Sequence, residues 1–509
     1  MGCSPRRVPG RRPPKVPKRT AVLLVLACAL VLPSAAGATA FGVAEDATKY
    51  ADDGGLALDL SLNDVGMTQN RVAVFWDPDD PEAIQEKAFL DRFVPVSVAQ
   101  GIRVIFAVYP AKAHAIGDRP AARQAFARYL RLLVDTYPQV RDYIVGNEPN
   151  QPRFWQPQFV GKRAVAGGAY ERLLAVSYDA LKAADPTIRV IGVGLSPRGN
   201  DRPKAKDNRS TSPVRFLAAM GHAYRASYRM APLMDAFAYH VYPLPSNRQP
   251  LYAAHAWPNA GWAQLGRIKQ AFWDAFHDTP QPTLVEAGSP REKAIQMVVD
   301  EVGWQARIPV DKLHLYNGRE TATPVSPAVQ AATYAQLVGA AACDPALESL
   351  DFFHLVDETS LEHFQSGLLL PDGTRRPAYD AVKQAIAGVT DGCAGVPVAW
   401  RHTLDVAAAR AVLRTRQGVR KVEFAADEGF VARTFLLPGA ATMDDLVDPD
   451  AVAALARETT IELAPYRSYA WRPRTVAPGA CYRYGVVLRS AVNPERAHTF
   501  LTARFCTRP

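Results

Sequence analysis

The stretch "YIVGNEPN", residues 143–150, runs from apolar Tyr143-Ile144-Val145 straight into Asn147, Glu148 and Pro149. A carboxylate at the end of a buried run is costly unless it is paired or used. A second apolar run, "PTLVEAGSP", ends in Glu286. Two carboxylates facing one pocket can share the work of cleaving an acetal: one protonates the leaving oxygen, and the other attacks or activates water. Near the end of another apolar run, "NRVAVFW", Trp76 offers a flat surface on which a sugar ring could stack. Each feature also has a plainer reading. Asn-Glu-Pro is a common turn, and Trp76, like Trp155, Trp257 and Trp262, could simply be packing.

These residues need elements to bring them together. Short apolar runs alternate with amphipathic helical stretches from Phe41 to about Thr390. The runs are "AFGVAED", "NRVAVFW", "RVIFAVYP", "RDYIVGNEPN", "RVIGVGLSP", "MDAFAYHVYP", "PTLVEAGSP" and "LESLDFFHLVDET". Eight strand–helix units predict an α/β fold, a (β/α)8 TIM barrel over residues 41–390, with its site at the carboxyl ends of the strands. Glu148 then closes the fourth strand and Glu286 the seventh. An open doubly wound sheet would usually show a glycine-rich phosphate turn, and no GxGxxG or GxxxxGK[ST] occurs. Beyond "GVTDGCAGVP" the chain reads as short strands between Gly, Pro and charged turns, with one helical piece at "DPDAVAALARE". Residues 391–509 are therefore expected to form a small C-terminal β domain, a sandwich. The most polar loop, "SPRGNDRPKAKDNRSTSP", reads as a mobile excursion from the barrel.

The motifs "GNEPN", "YHVY" and "EAG", at the fourth, sixth and seventh runs, resemble those of clan A, the large clan of retaining glycoside hydrolases with (β/α)8 barrels that holds cellulases, β-mannanases, β-xylosidases and β-galactosidases. The resemblance covers residues 41–390. It implies Glu148 as acid/base, Glu286 as nucleophile and Asn147 as a partner of the sugar 2-hydroxyl. It also implies substrate-site roles for His240 and Tyr242 and for Arg71, which would steady the nucleophile. Arg71 and the Tyr242 hydroxyl would favour the anionic form of that nucleophile; the lesser alternatives are a structural ion pair for Arg71 and a satisfied core residue for His240. The chain departs from the clan at the eighth strand, where Phe353 and His354 stand in place of the usual Trp, and at the first, where Asp46 stands for a sugar-binding residue.

The implied function is hydrolysis of O-glycosidic bonds in a β-linked oligo- or polysaccharide by double displacement. A non-catalytic carbohydrate-binding barrel and a transglycosylase using the same site are the alternatives. There is no GxSxG, and His222, His255 and His277 show no HExxH spacing, so neither a metal nor any other cofactor is expected. Residues 1–40 have a basic start, an apolar stretch from Ala21 to Leu32 and an Ala-Thr-Ala end, the pattern of a secretory signal. Seven of the nine net positive charges leave with that segment, and the near-neutral remainder gives no reason to expect nucleic acid. A secreted chain with no stable membrane association is expected. Of the four cysteines beyond the signal, nearness in sequence pairs Cys343 with Cys393 and Cys481 with Cys506. Nothing in the sequence defines the sugar, the mode of attack along a chain or an oligomeric state.

Overall fold

The computed structural model describes residues 39–244, 246–289, 293–406, 409–416, 419–446, 457–463, 467–472 and 476–509. The expected secretory signal, residues 1–40, lies outside the described residues apart from its last two positions, and so do residues 448–456 of the helical piece expected near the C-terminus. Residues 457 and 458 of that piece belong instead to a strand, Arg457–Leu463.

Eight parallel strands close into a barrel: β1 (Ala40–Ala44), β2 (Gln69–Trp76), β3 (Arg103–Pro110), β4 (Asp142–Val145), β5 (Arg189–Leu195), β6 (Ala236–His240), β7 (Gln296–Val302) and β8 (Leu347–Phe352). The strands are apolar and buried on both faces, as a parallel sheet wrapped by helices requires, with Val and Ile concentrated in β2, β3, β4, β5 and β7. The interior is filled by small and branched side chains, among them Ile105, Ala107, Ile144, Ile191, Ala238 and Val298. The opposite faces of the strands, such as Val72, Val74 and Trp76 of β2, pack against the helices.

Seven of the eight expected strands are the observed ones. The seventh is not: "PTLVEAGSP" contributes only an isolated bridge from Leu284 to Ile295, and the barrel strand is the following "QMVVDEV". Flanking prolines explain the difference, because a residue without an N–H is excluded from the middle of a sheet. Pro282 and Pro290 bracket the rejected run, whereas residues 296–302 contain none.

The C-terminal part forms two antiparallel sheets, one of three strands and one of five. Their inner faces share a core that includes Val422, Phe424, Phe430, Tyr484 and Val486. This region docks on the barrel helix Leu265–Phe276 through a buried polar cluster. Asp274 accepts from Asn493 Nδ2 at 3.0 Å and from Arg496 Nη1 at 3.1 Å. Arg496 Nη2 also lies 3.1 Å from Glu428 Oε1, an ion-pair distance off the hydrogen-bond line. Disulfides join Cys343 to Cys393 and Cys481 to Cys506, as sequence proximity suggested. Among the described residues no helix is long and apolar enough to cross a membrane.

Candidate active site

At the end of β4 the chain turns through Gly146 (φ 97°), where an added Cβ would stand 3.0 Å from the Tyr170 ring. Two residues later Glu148 itself takes a positive φ of 38°, and its N–H donates to the Gly194 carbonyl at 2.8 Å. A non-glycine residue held in this region carries backbone strain, which often accompanies function. The turn brings the Glu148 carboxylate to a cavity of about 1180 Å³ at the carboxyl ends of the strands, also lined by Arg71, Tyr109, Asn147, Tyr242 and Glu301.

Glu301 comes from β7, and a local irregularity aims it. The register with β6 steps from Ala238↔Val298 to His240↔Glu301, and that with β8 from Leu350↔Val299 to Phe352↔Val302. At this step the seventh strand holds one residue more than either neighbour, a bulge that breaks the alternation of faces. Adjacent Asp300 and Glu301 consequently both turn toward the barrel axis and its mouth. Glu301 Oε1 lies 3.1 Å from Arg71 Nη2, and Glu301 Oε2 accepts from the Tyr242 hydroxyl at 2.9 Å. Arg71 Nη2 also donates to Asn147 Oδ1 at 2.6 Å.

His240 ties the carboxylates together. Its Nδ1 is 3.0 Å from Glu148 Oε1 and 3.3 Å from Glu301 Oε2. Two oxygens contacting one nitrogen cannot be further apart than the two distances combined, here about 6.3 Å, within the spacing of paired glycosidase carboxylates. On its other side His240 Nε2 lies 3.4 Å from Asp300 Oδ2, and Asp300 is fully buried. Burial alone would lower the pKa of His240, but Glu301 and Asp300 outweigh it and hold the ring well above the ordinary histidine range. The same contest ends the same way at Arg71, where burial is overcome by Glu301 and Asp300. Burial, reinforced by Glu301, keeps the Tyr242 hydroxyl protonated far above its usual range.

The site therefore gathers Glu148, Asn147, Arg71, His240 and Tyr242, all singled out in the sequence. Two further expectations are corrected. Glu286 lies before the start of β7, at the opposite end of that strand from Glu301, and is roughly 20 Å of extended chain away from it. It is held there by His402, whose Nδ1 is 2.8 Å from Glu286 Oε2. Trp76 does not line the cavity: it is 2% exposed and packs edge-on against Phe126 at 5.6 Å. Strand parity gives the reason, since Trp76 is an odd number of residues from Arg71 and so shares the helix-facing side with Val72 and Val74. The aromatic walls are instead Tyr50, Tyr109, Phe154, Phe353 and Phe364. His354 and Glu45 also line the cavity, with burial opposing and Glu45 raising the His354 pKa to about 9. The sequence signal for Glu301 was present in "QMVVDEV", a proline-free branched run with two acids just before its last residue.

No protein-family profile matches the chain, and no curated protein matches it. Among solved structures it is similar to a family 39 glycoside hydrolase from the gut symbiont Bacteroides cellulosilyticus WH2, at 17% identity and TM-score 0.44, covering 78% of this chain and 74% of that one. An endo-β-1,4-mannanase from Thermotoga petrophila is similar at 10% identity and TM-score 0.41, over 91% of this chain and 97% of that one. A β-glucuronidase from Bacteroides uniformis is similar at 11% identity and TM-score 0.42 over 92% of this chain, which spans 46% of the other's length.

Proposed function

We propose that this chain is a retaining glycoside hydrolase acting on a β-linked carbohydrate, with Glu148 as acid/base and Glu301, in place of Glu286, as nucleophile. The observation that carries the reading is the His240 Nδ1 bridge, which holds one oxygen of Glu148 and one of Glu301 no more than about 6.3 Å from each other. Double displacement uses carboxyl groups about 5–5.5 Å apart, whereas inversion needs roughly 6.5–9.5 Å to admit a water between acid and base.

In the first step Glu148 gives its proton to the leaving oxygen while a Glu301 oxygen attacks the anomeric carbon, forming a glycosyl ester and releasing the aglycone. In the second, Glu148 takes a proton from water, which attacks the same carbon and frees Glu301. Arg71 and the Tyr242 hydroxyl favour Glu301 as the anion required for attack. Asn147 uses its oxygen to accept from Arg71, leaving its amide N–H groups to donate to a sugar hydroxyl. His240, charged and fully buried, faces both glutamates and can offset the carboxylate that is ionised at each stage.

In this reading residues 41–390 form the catalytic unit and residues 391–509 an accessory β domain. Residues 1–40 direct export, a reading supported by two disulfides, which persist in oxidising compartments. The test is covalent trapping with activated 2-deoxy-2-fluoro-β-glycosides followed by peptide mass spectrometry. The label is expected on Glu301; a label on Glu286, or none with any sugar of a broad panel, would overturn the assignment.

A further inference from the structure

The two loops that form one wall of the cavity are basic out of proportion to the rest of the chain. Residues 151–165, after β4, carry Arg153, Lys162 and Arg163 and no acid. Residues 198–209, after β5, carry five basic residues against two acidic ones. Beyond residue 40 the whole chain is nearly neutral, so this concentration at the mouth of one cavity is not a reflection of overall composition.

Arg153 and Arg198 both line the cavity with exposed side chains, and neither makes an ion pair with a described residue. The other arginines around the barrel mouth contrast with them: Arg71 meets Glu301, and Arg376 meets Asp357. Arg153 is also set by its surroundings. Its guanidinium lies 5.5 Å from the Phe154 ring centroid, and its charge reaches the half-buried Tyr109, which in turn feels Arg71 and Glu301. The backbone of Arg198 is fixed by Gln151 Nε2, which donates to its carbonyl at 2.5 Å, and by Asn150 Nδ2 at 3.2 Å. The acids that line the facing wall are paired by contrast: Asp46 with Lys49, Glu45 with His354, and Glu358 with His354 and His363. Arg153 and Arg198 are thus left without a counter-charge, which a neutral sugar chain would not supply.

We propose that the substrate is an anionic polysaccharide whose carboxylate or sulfate groups lie along the Arg153–Arg198 wall. The proposal rests on the glycoside hydrolase reading and names the substrate class of that site. Planar guanidinium forks match the paired oxygens of carboxylate and sulfate, and charge-assisted contacts of this kind are the strong ones.

The test measures binding to the full chain carrying Glu301→Gln, so that no ligand is consumed. Three octamers share one β-1,4-glucan backbone and differ at carbon 6: hydroxyl, carboxylate and sulfate. At low salt at least one anionic octamer should bind roughly tenfold or more tightly than the neutral one, with the advantage fading as ionic strength rises. Whichever anion binds better identifies the group. Adding Arg153→Gln and Arg198→Gln should reduce the advantage to about threefold or less, while Arg128→Gln with Arg131→Gln, the same charge removed from a helix outside the cavity, should preserve it. Equal affinity for all three octamers, no binding of either anionic octamer, or an advantage that survives loss of Arg153 and Arg198 would overturn the proposal. Failure here with Glu301 labelled leaves the hydrolase reading intact; anion preference without labelling leaves the cleft but removes the hydrolysis.

Discussion

Arg71 and Glu301 meet at 3.1 Å across the barrel axis, from strands that are not neighbours in the sheet. Both side chains are nearly buried, so neither charge has water to replace its partner. Removing one member of such a pair leaves an uncompensated charge and typically costs about 3–5 kcal/mol. Arg71→Met should therefore lower the unfolding free energy in urea by about 3 kcal/mol and reduce kcat/KM on an aryl glycoside at least about 100-fold. Arg71→Lys should recover part of the stability but little of the activity, because a lone ammonium cannot face Asp300, as Nε does, while also meeting Glu301 and Asn147 as Nη2 does.

Glu286 carries the opposite expectation. Its contact with His402 joins the bottom of the barrel to the segment leading into the C-terminal sheets, and Trp273 stacks on the same imidazole at 4.0 Å. Glu286→Gln should leave kcat/KM within about twofold and lower stability by roughly 1 kcal/mol, the scale of one hydrogen bond. Parallel kinetics and urea melts would separate the two effects.

The interface between barrel and β sheets should respond to pH through Glu428. Burial pushes its carboxyl from the ordinary 4.5 up to about 7, against the opposing pull of Arg496, with Asp274 and Asp427 adding to the rise. Between those two values the folded chain holds more protons than the unfolded one, so this group makes stability fall as pH rises across that window. Glu428→Gln removes the dependence. Its stability relative to the parent should become more favourable from pH 5 to pH 8, by up to roughly 3 kcal/mol; a difference that is constant with pH would count against the assignment.

The Cys343–Cys393 bridge closes a separation of 50 residues, and Cys481–Cys506 one of 25. Loop-closure entropy gives each bridge about 3–4 kcal/mol of stabilisation. The chain lacking residues 1–40 should show no free thiol when denatured without reductant. Reduction should lower its melting temperature, with Cys343→Ser reproducing a large part of the loss.

Most of the barrel could be read from the sequence because branched runs and amphipathic helices alternate so regularly. The error at the seventh strand came from weighting the "EAG" motif over chain chemistry. Two prolines around Glu286 argue against a central strand, while "QMVVDEV" satisfies every local demand of one. Even the correct strand would not have shown Asp300 and Glu301 pointing the same way, because simple alternation sends adjacent residues to opposite faces and only the bulge reverses this. Trp76 was open to correction from the sequence itself: the five-residue step from Arg71 already places them on opposite faces. The His240 bridge was beyond reach, since it depends on three strands meeting at one nitrogen.

The most direct measurement concerns which glutamate bonds to the sugar. With an activated aryl β-glycoside and azide, Glu148→Ala should still form the glycosyl ester on Glu301 and release it as a β-glycosyl azide, because the small anion replaces a water that lacks its base. Glu301→Ala should form no ester and give, if anything, the α-azide by direct displacement. The anomeric configuration of the two products, read by NMR, decides the matter. A β-azide from Glu148→Ala and an α-azide or no product from Glu301→Ala is the expected result. The same anomer from both variants, or full activity in Glu301→Ala, would contradict the assignment of Glu301 as nucleophile.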